Sequence, residues 1–172
     1  FLYDLPAWCT SVAAVHSGQP TTDAIAGAVY IPVTNEMFSA HAGGGATLNE
    51  LPISVSNADA IAMSLIGTGF SYRQDQRVVQ ADRIQSLLPQ VRDIRRCGSA
   101  AIDLAFVACS RLDAYFEEHL HSWDMAAGLL IANEAGAKVS GLNGGDPDEL
   151  GAVAASPGIH AALLAAIQSA SS

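Results

Sequence analysis

Basic side chains are scarce in this chain. Of its 172 residues only 8 are Lys or Arg, against 17 Asp and Glu, for a formal net charge of −9. A nucleic-acid binder needs a basic face to displace counterions from phosphates, and the charge balance argues against that class first. An anionic substrate would also be repelled unless divalent cations stood between it and the protein. The acidic balance therefore leans towards a metal site, although many soluble proteins without one are equally acidic. Cysteine is sparse too. Cys9, Cys97 and Cys109 make an odd count with no CxxC spacing, which indicates neither a disulfide framework nor a zinc site. Free thiols in a reducing cytoplasm are the expectation. No apolar run approaches the roughly 18 residues of a membrane-spanning helix, and the first residues show no basic-then-apolar leader pattern. The chain opens at Phe1, without Met, and a segment in front of it is expected.

What is present is apolar: 50% of the residues are hydrophobic and 15% charged. That composition argues against disorder and for a sizeable core, and the length suits one domain over 1–172. Strands are predicted at Trp8–Val15, Ile25–Ile31, Glu36–His41, Ile53–Val55 and Ala62–Ile66. Turns are predicted at Ser17–Pro20, at Gly43–Gly45 and around Leu48 to Pro52. Val78 to Val91 has helical spacing through Val78, Val79, Ile84, Leu87 and Leu88. Beyond it strand and helix alternate: Ile94–Cys97, a helix through Ala101–Ala108, Asp113–Glu117, a helix at Trp123–Glu134, Lys138–Ser140, Ala152–Ala155, and a helix from Pro157 to Ile167. Strands first and alternation afterwards suit a layered α/β domain around a mixed sheet. Strand ends that meet helix starts, at Cys97/Gly98 and between Glu117 and Asp124, are where such sheets bind ligands.

Few candidate sites survive inspection. Ser99 follows Gly98 at a strand-to-helix turn, but Cys-Gly-Ser-Ala lacks the Gly-x-Ser-x-Gly frame of a nucleophile elbow. A helix cap, with the backbone amides of Gly98 to Ala100 facing a ligand, is the reading preferred. Gly43-Gly-Gly45 could cradle phosphate but lacks the Lys and Ser/Thr of a P-loop, so a tight turn is preferred there. His119 and His121 lack the spacing of a helical zinc pair and read as surface or supporting histidines. The densest acidic cluster is Glu117, Glu118 and Asp124, in the loop between a strand and a helix whose residues from Met125 to Ile131 are nearly all apolar. Carboxylate oxygens are what magnesium prefers, with water and substrate phosphate completing the shell. The alternatives are a solvated rim for the cluster and a first-turn charge favoured by the helix dipole for Asp124.

Several ordered motifs give the chain a specific resemblance. Trp123-Asp124, Ala126-Ala-Gly128 and Glu134-Ala-Gly136 are similar to the C-terminal signature of the inositol monophosphatase family of magnesium-dependent, lithium-sensitive phosphomonoesterases. Gly43-x-Gly-Ala-x-Leu-Asn49 with Pro52-Ile-x-Val-Ser56, Arg96-x-Gly-Ser-Ala-Ala101 with Asp103-Leu104, and Asp113-Ala-Tyr-Phe-Glu117 resemble further segments of that family. Ala137 stands where a second Gly is usual, without chemical consequence. The resemblance implies a sugar-phosphatase-like αβαβα sandwich, here without its N-terminal portion. It also implies Mg2+ as cofactor, a small phosphorylated polyol or similar phosphomonoester as substrate, a homodimer in the cytoplasm, and no nucleic-acid or membrane partner.

Carried onto this sequence, the resemblance makes Asp124 the catalytic carboxylate that binds the second metal and touches a substrate hydroxyl. Glu117 would hydrogen-bond the alcohol part of the substrate, and Gly98, Ser99 and Ala100 would line the same pocket. Trp123 is expected to pack behind Asp124 and hold it still. The family's main metal motif, Asp-Pro-(Ile or Leu)-Asp-Gly-Thr, would lie ahead of Phe1. A truncated or incompletely represented phosphatase is expected on that account, inactive as residues 1–172 alone. The implied reaction is attack by metal-activated water on a phosphomonoester, foremost inositol monophosphate. The rivals are the family's phosphatases for histidinol phosphate, fructose 1,6-bisphosphate or adenosine 3′,5′-bisphosphate, and, in another class, a catalytically inactive binding or assembly module.

Overall fold

The computed structural model describes residues 6–18 and 23–169. Two five-stranded sheets and four helices stack in alternating layers. The first sheet is an antiparallel meander in chain order: β1 (Thr10–Val15), β2 (Ala24–Ile31), β3 (Glu36–His41), β4 (Ala46–Leu48) and β5 (Leu51–Ile53). Its β4–β5 hairpin turns at Asn49 and Glu50, both at positive φ (48° and 68°), the conformation of a tight two-residue hairpin turn. Pro52 is accommodated because β5 is an edge strand, where a missing N–H costs no ladder bond.

The second sheet has the order β7-β6-β8-β10-β9, with β6 (Leu65–Thr68), β7 (Asp93–Arg95), β8 (Ala114–Glu118), β9 (Lys138–Ser140) and β10 (Gly151–Ala155). Here β6 runs parallel to both β7 and β8, whereas β10 is antiparallel to β8 and β9. Helices α1 (Gln74–Leu87), α2 (Ala100–Ala108), α3 (Ser122–Glu134) and α4 (Pro157–Ser169) supply the other layers.

Alternation along the strands explains the stacking. In β8, Ala114 and Phe116 join a buried cluster with Leu87 of α1 and Ile159 and Leu163 of α4, while Tyr115 points the other way, towards Leu104 of α2 and Leu129 of α3. Strand β10 divides likewise into Val153 and Ala155 on one face and Ala152 and Ala154 on the other. A third cluster joins Val29, Ile31 and Phe38 of the first sheet to Ile102 of α2 and Ile131 of α3. The helices α2 and α3 are therefore sandwiched between two sheets, which is why Met125 to Ala132 are buried without a polar stripe. Small residues permit the close approach: a Cβ at Gly27 would come within 3.0 Å of the Ala127 backbone, and one at Gly128 within 2.8 Å of Leu104.

The layer order, sheet–helices–sheet–helices, accounts for four layers of the expected αβαβα sandwich. The leading helical layer is not among the described residues. Most predicted elements are found with shifted ends. Ala62–Ile66 divides into a 3₁₀ turn at Ile61–Met63 and the strand β6. Helix α1 differs more: Val78 and Val79 are 59% and 55% exposed, and the buried positions are Gln80, Arg83 and Leu87. Its inward face combines Leu87 and Ile84, packed into the core, with Arg83, which pairs with Glu118 of β8, a contact invisible to local spacing. Of the predicted Ser17–Pro20 turn, Gln19 and Pro20 lie outside the described residues, as do Phe1 to Leu5.

Candidate active site

The parallel strands β6, β7 and β8 end on one side of the second sheet, and their carboxyl ends lead into Gly69-Phe70, Arg96-Cys97-Gly98 and His119-Leu120-His121. The last two loops feed straight into α2 and α3, so both helix N-termini are aimed at the same place. The first amides of a helix lack intrahelical acceptors and carry partial positive charge, which favours an anion there. An open cleft of about 660 Å³ occupies this corner. Asp124, Glu117, Gly98, Ser99 and Ala100, drawn from three separate stretches of sequence, all line it.

Local chemistry fixes each of them. Ser99 caps α2, its Oγ accepting from the Ile102 amide at 3.5 Å, and Gly98 turns the chain at φ 98°, a region that favours glycine. Asp124 caps α3 from within its first turn: its Oδ2 accepts from the His121 amide at 3.0 Å, and the Asp124 amide donates to the His121 main-chain carbonyl at 3.0 Å. The cap and ligand readings of Asp124 are thus compatible, since the cap engages Oδ2 and leaves Oδ1 without a hydrogen bond among the described residues. Trp123 does not pack behind Asp124. Its ring is 70% exposed and stacks on His121, centroids 4.4 Å apart. Asp124 is held by the helix start itself, which needs no ring behind it.

The acidic cluster is divided. Glu118 pairs with buried Arg83 and is thereby spent on an ion pair. Glu117 sits deeper, with the Tyr115 hydroxyl donating to its carboxylate. Burial pushes the Glu117 carboxyl above its ordinary range, opposed by the Tyr115 hydrogen bond and the nearby Arg96. Behind it Tyr115 is fully buried and its phenol is held well above its usual range, by burial first and then by Glu117. Asp103, 1% exposed, is pushed up to about 7 by burial, with Cys97 hydrogen bonds opposing and the Glu117 charge adding. The cleft is therefore backed by a layer of desolvated acids.

Sequence reading missed Gly69, Tyr115 and the depth of Asp103. A Cβ at Gly69 would overlap the Glu117 carboxylate, so this glycine makes room for it. Gly67-Thr-Gly69 at a strand end was the available signal; Asp103 and Tyr115 offered none, being embedded in apolar runs. His119 and His121 are exposed at the rim, in agreement with the surface reading. At Gly43–Gly45 the turn is found, and its amides are engaged: Gly43 and Gly45 donate to Glu134 at 2.8 and 2.9 Å. An internal carboxylate fills the anion cradle that the glycines suggested.

Among the described residues no group of three or more His, Cys, Asp or Glu side chains is placed to hold a metal ion. Asp124 fits as one oxygen ligand, and magnesium commonly takes only one or two carboxylates with water and phosphate. The three cysteines are free and partly buried.

The model of the inositol monophosphatase family matches residues 1–172. The chain belongs to the inositol monophosphatase family. It is 46% identical to the inositol-1-monophosphatase of Mycobacterium leprae over 174 residues, covering 98% of the chain and 58% of that relative. It is also 46% identical to a Nus factor SuhB of Xylella fastidiosa over 147 residues, covering 85% of the chain and 52% of that relative. Among solved structures, Mycobacterium tuberculosis SuhB superposes with a TM-score of 0.87 at 43% identity, over 98% of this chain and 67% of that one. The inositol monophosphatase from Anabaena gives 0.86 at 34%, over 95% and 65%. The chain spans somewhat over half the length of the curated relatives it matches. No described helix is long and apolar enough to cross a membrane.

Proposed function

We propose that this chain supplies the substrate-binding half of a metal-dependent phosphomonoesterase whose preferred substrate is inositol monophosphate. One observation carries the reading: Asp124, Glu117 and the Gly98–Ala100 backbone meet in a single cleft at the carboxyl ends of three parallel strands, beneath two helix N-termini. The phosphate of the substrate faces the α2 and α3 N-termini, where amide dipoles favour its charge. Asp124 presents a carboxylate to a magnesium ion and to a substrate hydroxyl, and Glu117, set by the Tyr115 hydroxyl, accepts from the alcohol portion. A divalent ion held there, with ligands from the rest of the protein, would neutralise phosphate charge and lower the pKa of water. Among the described residues no side chain in the cleft is arranged as a nucleophile with a neighbouring base, in keeping with direct attack by water. Among the described residues Asp124 is the one such metal carboxylate, and residues 1–172 alone are proposed to be inactive. The full-length protein is proposed to be a lithium-sensitive cytoplasmic homodimer.

The test is a panel assay on full-length protein with inositol monophosphate, histidinol phosphate, fructose 1,6-bisphosphate and adenosine 3′,5′-bisphosphate, across magnesium concentration. Preference for inositol monophosphate, weakened selectively in Glu117→Gln, supports the reading. Preference for another member of the panel reassigns the substrate. No magnesium-dependent phosphate release from any of the four favours the non-catalytic binding or assembly role.

A further inference from the structure

Helix α1 buries a carboxamide, Gln80, at 5% exposure on its inward face. Burying such a group costs free energy unless it is hydrogen-bonded. Its partner lies outside the helix: Gln80 Oε1 accepts from the Ser71 amide at 2.9 Å. Ser71 belongs to the loop of residues 69–73, between the end of β6 and the start of α1. Two more α1 side chains converge on the same residue. The Ser71 hydroxyl donates to the Gln76 side chain, and Arg77 Nη1 donates to the Ser71 carbonyl at 3.1 Å and the Tyr72 carbonyl at 2.7 Å. The amide, hydroxyl and carbonyl of Ser71 are thus all held by one helix. Capping that helix would take a single acceptor, and the Ser71 Oγ already accepts from the Arg73 amide at 3.1 Å. The additional contacts fix the loop, and all five of its residues line the cleft that contains Glu117 and Asp124. Gly69, at one end of the loop, is the residue that leaves room for the Glu117 carboxylate.

We propose that α1 clasps the loop of residues 69–73 through Ser71, with Gln80 and Arg77 as positioning residues that set the cleft wall beside Glu117 before the substrate arrives. A wall ordered in advance carries no ordering cost on binding. Because this wall adjoins Glu117, the effect falls on recognition of the alcohol portion more than on the chemical step. The kinetic consequence rests on the proposed phosphatase reading; the clasp itself is independent of it.

The experiment measures amide hydrogen exchange at Ser71 and steady-state kinetics on inositol monophosphate in full-length Gln80→Met and Arg77→Met. Met fills the space of Gln80 but offers the Ser71 amide no carbonyl oxygen. Gln80→Met is expected to speed exchange at Ser71 by about tenfold or more, and to raise KM by about fivefold with kcat within about threefold. Arg77→Met, on the exposed side of the helix, is expected to move exchange and KM in the same direction by about two- to threefold. Wild-type exchange at Ser71 in Gln80→Met overturns the proposal. A lowered melting temperature with KM unmoved also overturns it, because that is the signature of a residue that serves helix stability alone. If Gln80→Met does not fold, Arg77→Met decides: faster exchange with raised KM sustains the clasp, and wild-type values overturn it. If the wild-type protein releases no phosphate, the functional reading fails, while exchange at Ser71 still judges the clasp.

Discussion

The carboxylate of Glu117 occupies the space that a side chain at position 69 would need. The end of β6 and the end of β8 are thereby coupled: one must be glycine for the other to present its acid to the cleft. Gly69→Ala is expected to displace Glu117 and break its bond from the Tyr115 hydroxyl. KM for a polyol phosphate should rise by about an order of magnitude, with a smaller change in kcat, because a recognition contact is lost. Steady-state kinetics of full-length Gly69→Ala check this. Wild-type KM would mean that Glu117 does not touch the substrate.

Glu134 and the Gly43–Gly45 turn form a second such coupling, between the end of α3 and the first sheet. The two amides hold the Glu134 carboxyl below its ordinary range. A group whose folded pKa is depressed contributes stability that is present above its unfolded value, near 4.5 here, and is lost as pH falls through the folded value. Glu134→Gln should therefore lower stability at neutral pH by less than about 1 kcal/mol, the site being open to solvent, and reduce the loss of stability on acidification below pH ~4.5. Thermal melts of both proteins between pH 3 and 7 measure it.

His160 works at higher pH. It is 2% exposed on α4, with Nε2 3.0 Å from the Ser140 Oγ of β9. Burial, and then the charge of Lys138, hold its imidazole below the ordinary value of 6.5. The unfolded chain takes up the proton first, so stability falls as pH drops below about 6.5 and continues to fall until the folded imidazole itself titrates. His160→Asn, which keeps a polar partner for Ser140, should flatten the stability profile between pH 6.5 and 5. A wild-type slope in that variant would show that His160 is not its source.

Much of this site is legible in the sequence because its pieces are local. Gly98-Ser99 before an apolar helix announces a cap, and Asp124 at the mouth of α3 marks itself as an acid where burial begins. The supporting layer is not local. Glu134 meets a turn 91 residues away in sequence, and Arg83 joins the inward face of α1, in place of Val78 and Val79, by pairing across to β8. Tyr115 and Asp103 sit in runs where every neighbour is a core residue, so spacing classes them with the core. Trp123 misleads for the opposite reason: an aromatic beside a conspicuous acid suggests packing, but it stacks outward on His121.

Asp124 carries the central claim, that this corner of the sheet is a phosphatase site and more than a capped helix start. The direct measurement is phosphate release from inositol monophosphate by full-length Asp124→Asn across magnesium concentration, with circular dichroism melts alongside. Asn retains the shape and can still accept from the His121 amide, so stability should change by at most about 1 kcal/mol. The account predicts a fall in turnover of about two orders of magnitude or more, with the fold intact. Near-normal, magnesium-dependent turnover by Asp124→Asn would contradict it and leave Asp124 as a helix cap alone.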